Sequence, residues 1–266
     1  MLQITEFIAD AEESGYHGDN AEAKACQDIV LKAISESSLS RNVTIKGGVV
    51  MRSISNNSRR ATLDIDMDFI RYSLSDESIK AFVDKLNCLD GIHIRISSEI
   101  EELRQQDYHG KRVYVEITDD AGDSISSKID LGVHANLDIE QDEYCFDIAC
   151  FDDGASLLIN SREQMYCEKL KSLLKFGPFS TRSKDLYDMC FLEEKMDKEK
   201  LLHYMNMIIF SDSKMRENSI DDIRKRVHET FSNKSYLRKL GTSNRNWLNV
   251  PPSDAMKRIE NYLKDL

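Results

Sequence analysis

The sequence predicts an α+β protein, a mixed β-sheet with flanking helices followed by an all-helical C-terminal part, and three observations carry that expectation. Residues 62–69 alternate polar and apolar side chains with the period of a half-buried strand. Similar short β-branched runs recur at IHIRI, RVYVEIT and ISSKIDLGV. From Ser161 onward the apolar spacing becomes that of helices. The expected division is 1–160 for the α/β part with its N-terminal helices and 161–266 for the helical part.

The elements follow in order. Ile4, Phe7 and Ile8, then Ala25, Ile29, Val30, Ala33 and Ile34, have helical spacing, and the stretch Gly15-Tyr16-His17-Gly18 between them predicts two helices and a turn. The run NVTIK is a strand stopped by Gly47-Gly48, after which VVMRSI starts a helix that ends in the polar SNNSRR. In ATLDIDMDFIRY, Leu63, Ile65, Met67 and Phe69 take one face of a strand, while Thr62, Asp64, Asp66 and Asp68 take the other. A helix is expected over 76–88. The turn DDAGDS joins the second and third of the later strands, and EYCFDIA and ASLLIN add one or two more. The helical part reads as REQMYCEKLKSLLKF, a stop at Gly177-Pro178, then SKDLYDMCFLEEK, KLLHYMNMIIF, IDDIRKRVHETF and DAMKRIENYLKDL.

At 266 residues, 41% hydrophobic and 31% charged, the chain has ordinary globular usage and enough length to bury a core without metal or disulfide staples. Six cysteines stand without a C-x-x-C pair, so they are expected to be reduced and mostly buried thiols. No run is apolar enough for a membrane span, and MLQITEFIADAEESG is acidic where a signal peptide is basic, which predicts a cytoplasmic protein. The net charge of −11 excludes a general nucleic-acid coat. Arg224, Lys225, Arg226, Arg238, Lys239 and Arg245 cluster near the C-terminus, and the expectation for them is a solvated helix face rather than a basic groove. His93, His109 and His134 lack metal-ligand spacing and are expected to be packing or surface residues.

One constellation carries chemistry. Asp64 and Asp66, on one side of a strand, can bridge a divalent ion, and Asp130 in SKIDLGV is placed to add a third carboxylate from a neighbouring strand. Such an ion would neutralise a triphosphate and activate an attacking oxygen. Lys46-Gly47-Gly48 supplies the other half: glycines let backbone amides approach phosphate oxygens, and the helix N-terminus behind them favours negative charge. Thr62 adds a hydroxyl ahead of Asp64. Taken singly, two glycines mark any tight turn and a D-x-D is commonly a solvated edge; the signal is their occurrence together within 20 residues of chain.

The run IKGGVVM…RRATLDIDMDF, with EKLKSLL…TRSKDLYDM later in the chain, resembles the AbiEii/MenT-type nucleotidyltransferase toxins of the DNA polymerase β-like nucleotidyltransferase superfamily. The motifs cover residues 45–69 and 161–192. The second glycine departs from the superfamily's usual glycine-serine, which removes a hydroxyl contact to phosphate and keeps the backbone geometry. The resemblance implies a nucleotidyltransferase fold, with 161–266 completing the active-site cleft. It implies that Asp64 and Asp66 hold magnesium or manganese, that Gly47 and Gly48 line the triphosphate, and that Lys169 contacts the phosphates. An aspartate of DLYD would complete the site, Asp185 being preferred to Asp188. Without the resemblance, Glu168 and Lys169 would read as an ordinary ion pair at the border of the stripe formed by Tyr166, Leu170, Leu173 and Leu174. Arg59, Arg60 and Arg182 are either phosphate contacts or ordinary surface charge, the two readings being balanced for Arg60 alone.

The implied activity is transfer of a nucleotide from a nucleoside triphosphate to an acceptor such as the tRNA 3′ end, with release of pyrophosphate. The implied role is the toxin of a toxin–antitoxin or phage-defence system, with a cognate antitoxin as partner. Two alternatives stay open: γ-phosphoryl transfer to a protein or small molecule, and a non-catalytic interaction protein that retains the fold.

Overall fold

The computed structural model describes residues 2–103, 110–134 and 136–266. The chain forms two compact units, Met1–Asn160 and Ser161–Leu266.

The first unit opens with α1 (Ile4–Glu13) and α2 (Asp19–Glu36). Then come β1 (Val43–Lys46), α3 (Gly47–Ser55), β2 (Ile65–Phe69), α4 (Asp76–Lys85), β3 (Ile92–Ile96) and β4 (Glu101–Leu103). The unit ends with β5 (Gly110–Asp119), β6 (Ser124–Val133), β7 (Asp142–Ile148) and β8 (Phe151–Ile159). The strands make one mixed sheet in the order β3-β5-β6-β2-β1-β8-β7, with β4 paired to β5. Two pairings are parallel, β2 with β6 and β1 with β8. Both bring together strands distant in sequence, as parallel pairing requires.

The sheet has two chemically different faces because its strands alternate. Ile45, Ile65, Met67, Phe69, Val113, Val115, Ile129 and Leu131 are almost wholly buried; α2 and α3 pack against these strands and α4 against β3. The opposite face carries Lys46, Asp64, Asp66, Asp68, Arg112, Lys128 and Asp130. Ser75 caps α4 by accepting a hydrogen bond from the Ser78 amide at 3.2 Å.

Several expectations need correction. Leu63 was expected on the core face, yet it is 52% exposed; β2 starts at Ile65, so Leu63 precedes the paired backbone that would hold it inward. The short β4 was not foreseen, because EEL lacks both β-branched residues and alternation. Of the six free thiols, Cys26, Cys167 and Cys190 are buried while Cys88, Cys145 and Cys150 are exposed, so the expectation of mostly buried cysteines fails. His93 is exposed and pairs with Asp120 at 3.1 Å, His134 is buried beside the Ile139 carbonyl, and His109 lies outside the described residues.

Asp119 ties the first helix to the sheet. Gln3 at the start of α1 provides no side-chain cap; the Asp119 carboxylate, at the end of β5, accepts instead from the Ile4 amide at 2.8 Å and the Asp123 amide at 2.9 Å. The Ile4 bond is the largest of the effects that hold the Asp119 carboxyl below the usual carboxylate range. A depressed folded-state pKa contributes stability that is present above the unfolded value of about 3.9 and lost as pH falls through the folded value. Asp119→Ala is therefore expected to cost about 1–2 kcal/mol at neutral pH and to lose part of that difference in acid, once the pH has fallen through the lowered Asp119 value. Urea denaturation at neutral and at acid pH measures it, and equal stability at neutral pH would refute the role.

The second unit contains α5 (Arg162–Phe176), α6 (Ser183–Leu192), α7 (Lys198–Met205), α8 (Ile220–Phe231), α9 (Lys234–Gly241) and α10 (Pro252–Lys264). Four of these helix starts follow from capping chemistry: Ser161, Asp197, Ser219 and Asn233 each accept a backbone N–H of the following first turn. Three members of the C-terminal basic cluster finish helices or turns by donating to carbonyls. Arg224 donates to Leu263 and Lys264 at 2.8 and 3.1 Å, Arg226 to Leu174 at 3.4 Å, and Lys239 to Pro178 at 3.2 Å. Lys225, Arg238 and Arg245 are exposed. Among the described residues no helix is long and apolar enough to cross a membrane.

Candidate active site

In the first unit the glycine turn is built against the aspartate strand. β1 and β2 are antiparallel neighbours, with Lys46 opposite Asp66; the chain leaves Lys46 directly into Gly47, the first residue of α3. Gly47 has φ +66°, and a Cβ there would run into the Asp66 carboxylate, 3.0 Å from its Cγ. A Cβ on Gly48 would stand 2.6 Å from the Cβ of Thr62. Two side chains named from the sequence, Asp66 and Thr62, thus occupy the space that the two missing side chains leave. The glycines are required by this contact as well as by the turn.

Parallel pairing of β2 with β6 sets Asp66 level with Asp130, so the expectation that Asp130 shares the carboxylate face holds in register. Its carboxylate is nevertheless engaged by Arg112 of β5, Nε to Oδ1 at 2.7 Å and Nη2 to Oδ2 at 2.8 Å. This paired fork raises the Arg112 pKa further above its ordinary value. Asp64 pairs with Lys128 at 2.9 Å, and Asp68 with Lys46 at 2.6 Å. The acidic strand is therefore flanked by a cation from each neighbouring strand, Lys46 of β1 and Lys128 of β6. Among the described residues no group of three or more His, Cys, Asp and Glu side chains is gathered as a metal site. Asp64, Asp66 and Asp130 are not gathered as such a group, and Asp130 is held by Arg112. Lys46 likewise has a carboxylate partner rather than standing open to a phosphate.

Thr62 is fixed from behind by Gln27 of α2, whose side-chain amide donates to the Thr62 carbonyl at 2.8 Å. Arg60 closes a single 3-10 turn, Ser58–Arg60, and is 4% exposed. Such burial separates it from ordinary surface charge.

In the second unit, Lys169 of α5 bonds both aspartates of α6, Asp185 at 3.1 Å and Asp188 at 2.8 Å. Their environments differ. Asp188 is fully buried and also accepts the Trp247 indole N–H at 2.9 Å, whereas the Asp185 side chain keeps 16% of its exposure. Arg182 precedes α6 and is exposed. Trp247, Arg112 and Lys128 stand outside the motifs that single out the site in the sequence. Arg112 had a readable signal, since it occupies a polar position in the alternation of β5.

Turn, strand and helix pair define an α+β protein with a glycine turn set against an aspartate-bearing strand. The model of the nucleotidyl transferase AbiEii toxin family, of type IV toxin–antitoxin systems, matches residues 29–243, and the chain belongs to that family. Among solved structures, it is similar to an antigenic nucleotidyltransferase-like protein from Paracoccidioides brasiliensis, at 14% identity and a TM-score of 0.46, over 89% of this chain and 93% of that one. No curated protein matches the sequence.

Proposed function

We propose that the protein is the toxin of a toxin–antitoxin pair and transfers a nucleotide from a nucleoside triphosphate to an RNA acceptor such as the tRNA 3′ end, releasing pyrophosphate. The observation that carries the reading is the fit of Gly47-Gly48 against Asp66 and Thr62, which puts a carboxylate beside a helix N-terminus free of Cβ atoms. A carboxylate and a phosphate group together suit a hard divalent cation. Asp64 and Asp66 are oxygen donors of the right kind to hold magnesium or manganese, while Asp130 stays with Arg112. When bound, the ion would supply charge neutralisation for the triphosphate.

The remaining work belongs to the chain's own groups. The amides of Gly47 and Gly48 orient phosphate oxygens, and Arg60 and Thr62 support that turn. In the second unit Lys169, held by Asp185 and Asp188, is a fixed positive charge of the kind a phosphate group can accept. Catalysis in this reading is positioning and charge stabilisation rather than covalent chemistry. The cognate antitoxin is expected as a partner by family membership.

Incubation with each nucleoside triphosphate carrying label on the α- or the γ-phosphate, with magnesium and total RNA, tests this. Incorporation of α-label into RNA is the expected result. Movement of γ-label to protein or a small molecule would instead establish phosphoryl transfer, and no incorporation of either label would refute the proposal.

A further inference from the structure

The chain is acidic, yet within its second unit residues 169–184, with five Lys and Arg, and 230–253, with four, contain no Asp or Glu. These two windows meet. The Lys239 ammonium donates to the Pro178 carbonyl at 3.2 Å, and Tyr236 of α9 lies near enough to Asp185 of α6 to feel its charge. At this junction Phe179 is 82% exposed and Phe176 is 45% exposed, with the Lys175 ammonium 5.5 Å from the centroid of the Phe176 ring. The exposed guanidinium groups of Arg182 and Arg238 belong to the same two windows.

The turn carrying these rings is built, not incidental. Gly177 has φ +49°, and a Cβ there would come within 2.7 Å of the Arg226 Nη2; Arg226 in turn holds the Leu174 carbonyl at the end of α5. Phe176 lies two helical turns after Lys169, on the same stripe of α5, about 10 Å along the axis. Two exposed aromatic side chains therefore stand beside Lys175 and near Arg182, on elements whose own residues 169–184 and 230–253 carry no carboxylate.

From this juxtaposition we infer that the surface around Phe176, Phe179, Arg182 and Arg238 binds single-stranded RNA, the bases stacking on the phenylalanine rings and the phosphates pairing with the guanidinium groups. Aromatic faces set among cations are what a single strand requires. A membrane anchor would need a broader apolar face than two rings supply. The inference rests on the transfer reading only in making the RNA the acceptor.

The test is fluorescence anisotropy of a labelled mixed-sequence oligoribonucleotide with the full chain, without nucleoside triphosphate. Phe179→Ala is expected to weaken binding about 10-fold, within the range for one lost stacking contact. Arg238→Glu is expected to weaken it and to flatten the salt dependence. Lys225→Glu, on the exposed face of α8, is expected to leave both unchanged. Wild-type affinity in Phe179→Ala and Arg238→Glu overturns the proposal. So does an oligoribonucleotide that does not bind while anionic phosphatidylglycerol vesicles bind in a Phe179-dependent way. The two readings fail separately: RNA binding with the expected variant pattern but no nucleotide transfer refutes only the function proposed above, whereas intact transfer with unchanged RNA binding in both variants refutes only this one.

Discussion

Asp66→Asn is expected to lower nucleotide transfer by at least about 10²–10³-fold, the loss typical of removing one preorganised charge-stabilising group, while changing stability by no more than about 1 kcal/mol. The amide keeps the volume that fills the space above Gly47 and removes the charge. Gly47→Ala attacks the same point from the other side. It leaves the carboxylate in the chain, but its new Cβ needs the space that Asp66 occupies and forces a non-glycine residue to φ +66°. The expected result is a comparable loss of transfer together with a stability loss of about 1–3 kcal/mol. Transfer rates and urea midpoints of both variants separate the two effects. Gly47→Ala with wild-type transfer would mean that the turn does not serve the reaction, and an active Asp66→Asn would remove the acidic strand from it.

Much of this arrangement is legible in the sequence because it rests on local rules. The alternation through Asp64, Asp66 and Asp68 follows from strand geometry and needs no knowledge of neighbours. The helix starts at Ser161 and Ser219 follow from side chains able to accept first-turn amides. What local rules miss is decided by tertiary partners. Leu63 has the residue type and phase of a core position but lies outside the paired strand. The helix α9 was hidden because SYLRKLG attracts attention as a charge cluster, although its Tyr236 and Leu240 are buried at i and i+4 spacing.

The pairing of Arg112 with Asp130 lies between these cases. The hairpin β5–β6 sets Thr118 opposite Ser124, and counting back along both strands from that pair arrives at Arg112 opposite Asp130. Once the turn DDAGDS is fixed, the register follows. What the sequence does not state is whether an arginine opposite an aspartate will take up both carboxylate oxygens. That depends on burial, and Asp130 is only 8% exposed, so an unpaired charge there would be costly. The same logic separates the basic residues of the second unit: Arg224, Arg226 and Lys239 face unsatisfied helix-end carbonyls and are drawn to them, whereas Arg238 meets no such acceptor and stays at the surface.

Burial also decides between the two aspartates of α6, and the decision is measurable. Asp188→Ala is expected to cost about 3 kcal/mol of stability, because it strands the Trp247 indole N–H and removes one of the two carboxylates holding a largely buried Lys169. Asp185→Asn should cost less than about 1 kcal/mol, since Asp185 is partly exposed and Asp188 still neutralises Lys169. Their effects on transfer should run the other way per unit of stability. Asp185 keeps partial exposure where Asp188 has none, and with Asp185 as the functional carboxylate of the proposed reaction Asp185→Asn is expected to lower transfer by at least about 10²-fold in a chain that remains folded. Asp188→Ala would lose activity through displacement of Lys169, and Lys169→Met, which removes the buried charge itself, should then restore stability to Asp188→Ala without restoring transfer. Urea midpoints and transfer rates for the three variants and the double variant decide the matter. A stable but inactive Asp188→Ala beside an active Asp185→Asn would exchange the two roles.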